Sequence, residues 1–312
     1  MRGLTLLLAA ALALPAPAVA DVRLGGPLVA LSAGPGAAYA VVATGSRNRP
    51  FRLVRSGGRS VSRLRVFGSR NAEFAAVSGA EAVFARPTSD GFSYETPRGK
   101  VLGEGTGPPV LAPEGIVFPD ADGDAVLGGT ALTHTAPRLR NAPIDAVAGP
   151  LVLDLVQSGS RTELRVIGPD APPALLTSVR GLHAIPATIA RDDDGIYVAY
   201  RVGNRLTLAA ARPGGRWSRR RLPVRGALNG APAVARAGLR TFVATSQRVR
   251  GRRSLFLTTV DPAGAFLDRL TRPRGSDLAP LAAQGPDGRV YVAWTRRTKG
   301  RSGRSALLRR VL

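Results

Sequence analysis

The chain repeats one short pattern seven times, and this repeat constrains its fold more than any other feature. The clearest copy is A-P-L-A-A-Q-G-P-D-G-R-V-Y-V-A-W, from Ala279 to Trp294. Residues 185–200 and 231–245 have the same order of Pro, short apolar run, turn and second apolar run, and four fainter copies precede them. The anchor positions are 27, 73, 109, 143, 186, 232 and 280, so the mean spacing is about 42 residues.

Each copy predicts a unit of four short antiparallel strands. Pro at the first position of a strand removes no ladder hydrogen bond, and Gly-rich turns suit tight hairpins. No segment after residue 20 has the sustained three-and-four apolar spacing of a capped helix. We therefore predict an all-β β-propeller of seven four-stranded blades, with six as the alternative because the third copy is short. The predicted repeats of this single domain (21–312) are about 26–70, 71–106, 107–140, 141–181, 182–227, 228–276 and 277–312.

The two ends of the chain are predicted to close the ring. The seventh copy ends at Leu312 after about three strands. The segment D-V-R-L, which starts at Asp21, could supply the missing outer strand. Pairing the termini in one blade would remove an exposed sheet edge in a chain that has no Cys for a disulfide.

The repeat also accounts for most of the aromatic residues. Six of them occupy equivalent positions in the second strand of their units, and we expect them to pack between blades. Tyr200 and Trp294 share a position near the end of that strand and are expected to pack as well. The six are Tyr39, Phe84, Phe118, Tyr197, Phe242 and Tyr291.

The first twenty residues predict an export signal. Arg2 precedes an apolar run from Leu4 to Leu14, and the small residues of 18–20 fit cleavage after Ala20. No later run is long enough to span a bilayer. We predict an exported monomer that is secreted, periplasmic or attached to the cell surface, without a transmembrane segment.

The pattern P-x-x-A-x-x-P-D-G-x-V-Y-V-A-W resembles the first two strands of a sialidase-like β-propeller blade of the Asp-box (BNR) type. In that family the third strand leads into a turn S-x-D-x-G-x-x-W, and degenerate copies of this turn are found at 210–218, 259–266 and 88–94. The resemblance implies the fold. For an active member it also implies three Arg that hold the substrate carboxylate, a Tyr–Glu nucleophile pair and an Asp acid/base.

The active-site residues of such a sialidase are not evident here. Tyr94 is the one tyrosine that the repeat leaves unexplained, and a glycosidase needs two facing carboxyl groups, which the sequence does not place. A sialidase-like glycoside hydrolase acting on an extracellular glycan is therefore the alternative, and a non-catalytic binding or scaffold protein is favoured.

Two acidic motifs and two histidines give little support for a metal or cofactor. Asp120, Asp122 and Asp124 have the spacing of a calcium-loop opening, but Ala131 occupies the position of its distal Glu, so a solvated hairpin is favoured. The run 192–194 is expected to cap a turn. The histidines, His134 and His183, lie in different units and the chain has no Cys, so no zinc site or other cofactor is predicted.

Basic charge is concentrated in the last third of the chain. Residues 21–200 contain 18 Lys and Arg against 17 Asp and Glu, whereas residues 201–312 contain 25 against 4. A codon bias toward Arg would act along the whole chain and would not concentrate the basic excess after residue 200. Arg recurs in the connection between the second and third strands of units 1, 5, 6 and 7, and in an up-and-down blade all these connections emerge on one face.

These residues are predicted to form one Arg-rich face, because units 5, 6, 7 and 1 are contiguous in a closed ring. The planar fork of Arg suits carboxylate and phosphate, so the partner would be an acidic polysaccharide, a wall polymer, an anionic membrane surface or a partner protein. Few aromatics accompany them, which argues against nucleic acid. The alternative is a solvated surface without a ligand. The candidates are Arg47, Arg49, Arg201, Arg205, Arg248, Arg250, Arg252, Arg253, Arg296, Arg297, Lys299, Arg301 and Arg304.

Overall fold

A computed structural model describes residues 21–112, 115–122, 124–127, 130–131, 145–147, 151–168, 171–212, 214–271, 275–298 and 304–312. These residues form β-strands and no helix, so within them no helix could cross a membrane. The predicted export signal, residues 1–20, and His134 lie outside the described residues.

The strands are grouped in seven antiparallel sheets of four strands each, which are the predicted blades. Blade 7 takes its outermost strand, β1 (Val22–Gly25), from the start of the chain. Blade 1 comprises β2 (Leu28–Gly34), β3 (Ala37–Ala43), β4 (Phe51–Ser56) and β5 (Val61–Phe67). Blade 2 comprises β6 (Phe74–Ser78), β7 (Glu81–Pro87), β8 (Phe92–Glu95) and β9 (Val101–Gly105). Blade 3 comprises β10 (Val110–Ala112), β11 (Gly115–Pro119), β12 (Ala125–Leu127) and β13 (Thr130–Ala131).

Blades 4 to 7 follow in chain order. Blade 4 comprises β14 (Asp145–Val147), β15 (Leu151–Ser158), β16 (Arg161–Gly168) and β17 (Ala171–Arg180). Blade 5 comprises β18 (Ala187–Asp192), β19 (Gly195–Val202), β20 (Arg205–Ala211) and β21 (Ser218–Leu222). Blade 6 comprises β22 (Ala227–Ala237), β23 (Arg240–Val249), β24 (Arg252–Asp261) and β25 (Gly264–Arg269). Blade 7 is completed by β26 (Ser276–Gln284), β27 (Val290–Arg297) and β28 (Arg304–Arg310).

The two ends of the chain close the ring, as predicted. Strand β1 pairs antiparallel with β28, with Val22 opposite Leu308. Asp21 extends this contact, because its carboxylate accepts a hydrogen bond of 2.8 Å from Nε of Arg309. The innermost strands of neighbouring blades contact one another around the whole ring, so the prediction of seven blades is confirmed and the six-blade alternative is wrong.

The apolar core is divided into seven clusters, one between each pair of neighbouring blades. Strand β27 shows why alternating apolar residues suit this arrangement. Val292 and Trp294 pack against blade 6, whereas Tyr291 and Ala293 pack against blade 1. Each sheet is thus buried on both faces. The cluster between blades 3 and 4 is the smallest in the described part, with Val117, Ala125 and Val152 as its buried members.

The aromatic residues of the repeat lie between blades, as expected. The buried ones are Tyr200, Trp294, Phe84, Phe118, Phe242 and Tyr291. Tyr39 and Tyr197 are only half-buried.

The up-and-down topology sends alternate connections to opposite faces of the disc. We call the basic face the one that holds the second-to-third connections within each blade and the fourth-to-first connections between blades. The opposite face holds the first-to-second and third-to-fourth hairpins. A hydrogen bond of 2.7 Å from the amide of Leu228 to Oδ1 of Asn204 joins the start of β22 in blade 6 to the second-to-third connection of blade 5 on the basic face.

Candidate functional site

The basic face brings together the arginines that the sequence singled out. They lie at the second-to-third connections of blades 5, 6, 7 and 1, which are consecutive in the ring, and we call them the basic crescent. Lys299 and Arg301 lie outside the described residues. Eight of the others are exposed, namely Arg47, Arg49, Arg205, Arg248, Arg250, Arg252, Arg297 and Arg304, whereas Arg201, Arg253 and Arg296 are half-buried.

Strand pairing places like charges directly opposite each other in the crescent. Arg248 lies opposite Arg253 in blade 6, and Arg297 lies opposite Arg304 in blade 7. Residues in such positions have Cα atoms about 4.5–5.5 Å apart, and like charges there are destabilising. Within the described residues, no carboxylate forms an ion pair with any of these four side chains. The folded state therefore gains nothing from them, and they are available to an anion.

Arg296 differs from the rest of the crescent because it is held by a buried carboxylate. Asp277 is fully buried and receives hydrogen bonds of 2.6 and 3.1 Å from Nε and Nη2 of Arg296, and one of 2.5 Å from the hydroxyl of Thr271. Burial disfavours the Arg296 cation, but the hydrogen bonds and charge of Asp277 outweigh it and raise the pKa of Arg296. This guanidinium stabilises the fold of blade 7 and contributes little free charge.

Arg201 is also engaged by the protein. Its Nε donates to the carbonyl of Gly230 at 2.7 Å, and its Nη1 donates to the carbonyl of Gly203 at 3.0 Å. It therefore ties the crescent to blade 6 and keeps its charge without a described carboxylate partner.

The hairpin at the centre of the crescent is strained. Arg250 and Gly251 form the two-residue turn between β23 and β24, with φ angles of 49° and 77°. Two consecutive positive φ angles indicate a type I′ turn, which Asn-Gly satisfies much better than Arg-Gly. An Arg in this conformation costs about 1 kcal/mol, so the turn places a guanidinium at its tip against the backbone preference.

Other exposed arginines at this face were not among the sequence candidates, and two of them lie in fourth-to-first connections. Arg70 lies between β5 and β6, and Arg225 lies between β21 and β22. The amide of Asn71, next to Arg70, donates to the carbonyl of Arg47 at 3.3 Å. The second-to-third comparison could not find them, because fourth-to-first connections reach the same face only through the blade topology.

The central channel has a different character. It has a volume of about 630 Å³ and is lined by the innermost strands of the blades, with small and apolar residues such as Ala30, Ala76 and Leu281. The polar side chains among its described lining residues are those of Ser32, Ser78, Arg191, Arg236 and Gln284. No described side chain that lines the channel is an Asp or Glu, so that part of the channel offers no pair of carboxyl groups for glycoside hydrolysis.

Tyr94, the candidate nucleophile of the hydrolase alternative, lies away from the channel. It is fully buried between blades 2 and 3, where its ring packs against Phe118 at a centroid distance of 4.7 Å. Its hydroxyl donates to the carbonyl of Gly107 at 2.8 Å. Burial raises the pKa of Tyr94 to about 12, although the bond to Gly107 acts in the other direction. The adjacent Glu95 pairs with Arg86, so this tyrosine packs the blade.

The two acidic motifs cap turns. Oδ1 of Asp120 accepts hydrogen bonds from the amides of Asp122 and Asp124, at 3.0 and 2.8 Å. In blade 5, Oδ1 of Asp192 accepts the amides of Asp194 and Gly195, at 3.1 and 3.0 Å. Within the described residues no group of three potential metal ligands occurs.

The degenerate Asp-box turns agree only partly with the resemblance. Residues 210–218 and 259–266 do span third-to-fourth connections, and Asp261 caps its turn by accepting the amides of Ala263 and Gly264. Residues 88–94 lie between β7 and β8, a second-to-third connection, so the assignment of a third copy is wrong. The β-propeller fold is confirmed, and the Asp-box character is not.

No family model and no curated protein sequence matches the chain. Solved structures do match. A protein of unknown function from Dyadobacter fermentans is 12% identical, with a TM-score of 0.54 over 95% of this chain and 100% of its own. A puromycin-hydrolyzing peptidase from Mycobacterium tuberculosis is 16% identical, with a TM-score of 0.51 over 92% of this chain and 55% of that one. A xylan β-1,4-xylosidase from Bacillus halodurans has a TM-score of 0.38 at 10% identity, over 95% and 54%. The first two share the fold, and identities this low show nothing beyond it.

Proposed function

We propose that this protein is an exported, non-catalytic binding module whose basic crescent docks an anionic polymer. The carrying observation is the set of exposed arginines on four consecutive blades, with Arg248 opposite Arg253 and Arg297 opposite Arg304. Clustering of this kind raises the free energy of the folded state, and an anionic partner would remove that cost. The strained Arg250 turn at the centre of the crescent supports the same interpretation.

The acidic residues of the last third of the chain strengthen the proposal through their positions. Only four occur after residue 200. Asp261 and Asp287 lie in hairpins of the opposite face, Asp268 lies on the outermost strand of blade 6, and Asp277 is buried beneath Arg296. In this part of the molecule no described, exposed carboxylate therefore neutralises the basic face.

The ligand chemistry follows from the arginine side chain. A guanidinium can donate two parallel hydrogen bonds to a carboxylate, sulfate or phosphate. A row of such groups over four blades suits a polymer with a repeated negative charge better than a single small anion. Outside the cytoplasm, where the predicted export signal would place the protein, acidic polysaccharides and phosphate-containing wall polymers have this character.

Binding to immobilised polygalacturonate over a series of salt concentrations tests the proposal. The crescent variant would carry Arg248→Gln, Arg250→Gln, Arg252→Gln, Arg297→Gln and Arg304→Gln, and would leave the structural Arg296 intact. A matched control would lose the same number of charges elsewhere, with Arg63→Gln, Arg65→Gln, Arg220→Gln and Arg221→Gln on the outermost strands β5 and β21, and Arg240→Gln at the start of β23. The last of these lies on the opposite face.

The protein and the control are expected to bind at physiological salt and to weaken steeply as salt rises. The crescent variant should bind much more weakly. Where its binding can still be measured, the slope of log K against log salt concentration should be smaller in magnitude by about four, since each lost contact removes roughly 0.7–0.9. Equal binding by both variants would refute the crescent as the site. Dextran sulfate and vesicles rich in phosphatidylglycerol, used as parallel probes, separate a polysaccharide ligand from a membrane surface.

A further inference from the structure

A second cleft lies on the opposite face, between blades 5 and 6. Its volume is about 700 Å³, a size usual for small-molecule sites. The first hairpin of blade 5 contributes Asp193 and Asp194, the third-to-fourth connection contributes Arg212 and Arg216, and β19 contributes Tyr197. None of these side chains belongs to the basic crescent.

One wall of the cleft is a preorganised cluster centred on Arg236. This arginine is buried, and its Nε donates to Oδ2 of Asp192 at 3.1 Å, whereas its Nη1 donates to the hydroxyl of Thr241 at 3.2 Å. Its Nη2 lies 3.8 Å from the carboxylate of Asp194, and its guanidinium lies 4.6 Å from the centroid of the Tyr197 ring. All three nitrogens are thus engaged, and the Tyr197 ring is fixed in place.

Three charged side chains at the cleft are left unpaired by the protein. Within the described residues, the side chains of Asp193, Arg212 and Arg216 form no hydrogen bond or ion pair. They line one cleft and have opposite signs, yet they do not contact one another. Ala210, the Tyr197 ring and the exposed Leu239 also line the cleft. The cleft thus combines apolar groups with the guanidinium donors of the third-to-fourth connection and the carboxylate acceptors of the first hairpin.

The sum of the charges indicates the class of ligand. Two carboxylates and three guanidiniums line the cleft, and Asp192, behind them, neutralises Arg236, so the formal charges sum to zero and favour no ion of either sign. A pyranose ring matches this arrangement, because its C–H face packs on aromatic and aliphatic groups whereas its hydroxyls both donate to carboxylates and accept from guanidiniums. We infer that this cleft binds a pyranose unit of an uncharged glycan.

The inference is independent of the proposed function. A neutral sugar releases no counterions, so its binding should change little between 50 mM and 500 mM salt, whereas polyanion binding at the crescent is lost over that range. The crescent variant should bind the sugar as the native protein does. A negative result in the polyanion assay therefore does not count against sugar binding in the cleft, and a negative result with sugars does not count against the crescent.

Saturation-transfer NMR with D-glucose, D-galactose, D-mannose and N-acetyl-D-glucosamine, each with the full protein, tests the cleft. At least one should bind with a dissociation constant on the order of 1–10 mM, as expected for a single sugar in an open site. Asp193→Asn and Arg212→Gln should each weaken it about tenfold, because each removes a hydrogen bond to a charged group. Both residues are exposed, so the fold should survive. Arg240→Gln, at an exposed position of the hairpin next to Leu239, is the matched control and should bind normally.

Three outcomes would overturn the inference. The first is that none of the four sugars shows saturation transfer. The second is that a sugar binds equally well to Asp193→Asn, Arg212→Gln and the control, which would place it elsewhere. The third is that glycylglycine, which carries both charges, binds at the cleft whereas the sugars do not, which would make the ligand a zwitterion.

Discussion

The buried ion pair beneath the basic crescent leads to a quantitative prediction. Replacing Asp277 with Ala would leave the Arg296 guanidinium without its carboxylate in a site where only 18% of its side chain is exposed. Removing one partner of a buried pair usually costs 3–5 kcal/mol. Because Arg296 can still turn partly toward water, we expect about 3 kcal/mol, a large share of the 5–15 kcal/mol typical of a folded protein.

Urea denaturation followed by intrinsic fluorescence would measure this loss. With a slope of about 3 kcal/mol per molar urea, the midpoint should fall by about 1 M. Arg297→Gln, one residue along the strand and opposite Arg304, is the control, and it should change the unfolding free energy by no more than about 0.5 kcal/mol.

The double variant Asp277→Asn with Arg296→Gln completes the test, because it removes both charges together. It should lose less free energy than the sum of the two single changes, and the difference should be at least about 1 kcal/mol. If Asp277→Ala costs under about 1 kcal/mol, or if the changes are additive, the pair is not a structural one. Arg296 would then have to be counted with the ligand-binding arginines.

Three other perturbations probe separate features of the structure. Arg250→Asn should relieve the type I′ turn and stabilise the protein by about 0.5–1 kcal/mol in thermal unfolding, and should weaken polygalacturonate binding; a loss of stability would contradict the strain. The raised pKa of Tyr94, about 12 against 10, means that the folded state holds this proton more tightly. This difference in pKa contributes about 2–3 kcal/mol to the free energy of unfolding. The contribution is fully present below pH 10 and is lost as pH rises toward 12, so Tyr94→Phe should make the free energy of unfolding decline less steeply at high pH. An unchanged slope would show that the hydroxyl is not held in this way. Leu24→Asp, in the buried closing strand, should lower the unfolding free energy by about 2–4 kcal/mol and promote association through the freed edge of β28, which light scattering would detect.

The fold was predictable from the sequence because its determinants are local. In each unit, Pro marks the start of a strand, Gly permits a turn, and alternating apolar residues fill both faces of a sheet, as in Val290 to Trp294. The closure of the ring followed from the missing outer strand of the seventh unit, and β1 supplies it.

The details of the two sites depend on contacts between units, which a repeat pattern does not contain. Arg296 was grouped with the ligand-binding arginines and Asp277 was not singled out, because only strand pairing places the two directly opposite each other. Tyr197 was grouped with the packing aromatics, but Arg236 of the next blade stacks on it and opens the cleft. The equivalent Phe242 has no hydroxyl and is buried. Equivalent positions in a repeat share a backbone environment without sharing a neighbour.

The closure of the ring by β1 and β28 has a consequence for the order of folding. These strands are paired although almost the whole chain separates them, and contacts of such long sequence separation form late because closing the loop costs entropy. Blades 1 to 6 can assemble from neighbouring segments as the chain becomes available, but blade 7 must wait for its last strand. Until then the first strand has no partner and two blade faces stay uncovered. Folding is therefore completed when β1 pairs with β28. Any factor that keeps β1 unpaired until β28 is available would assist this step.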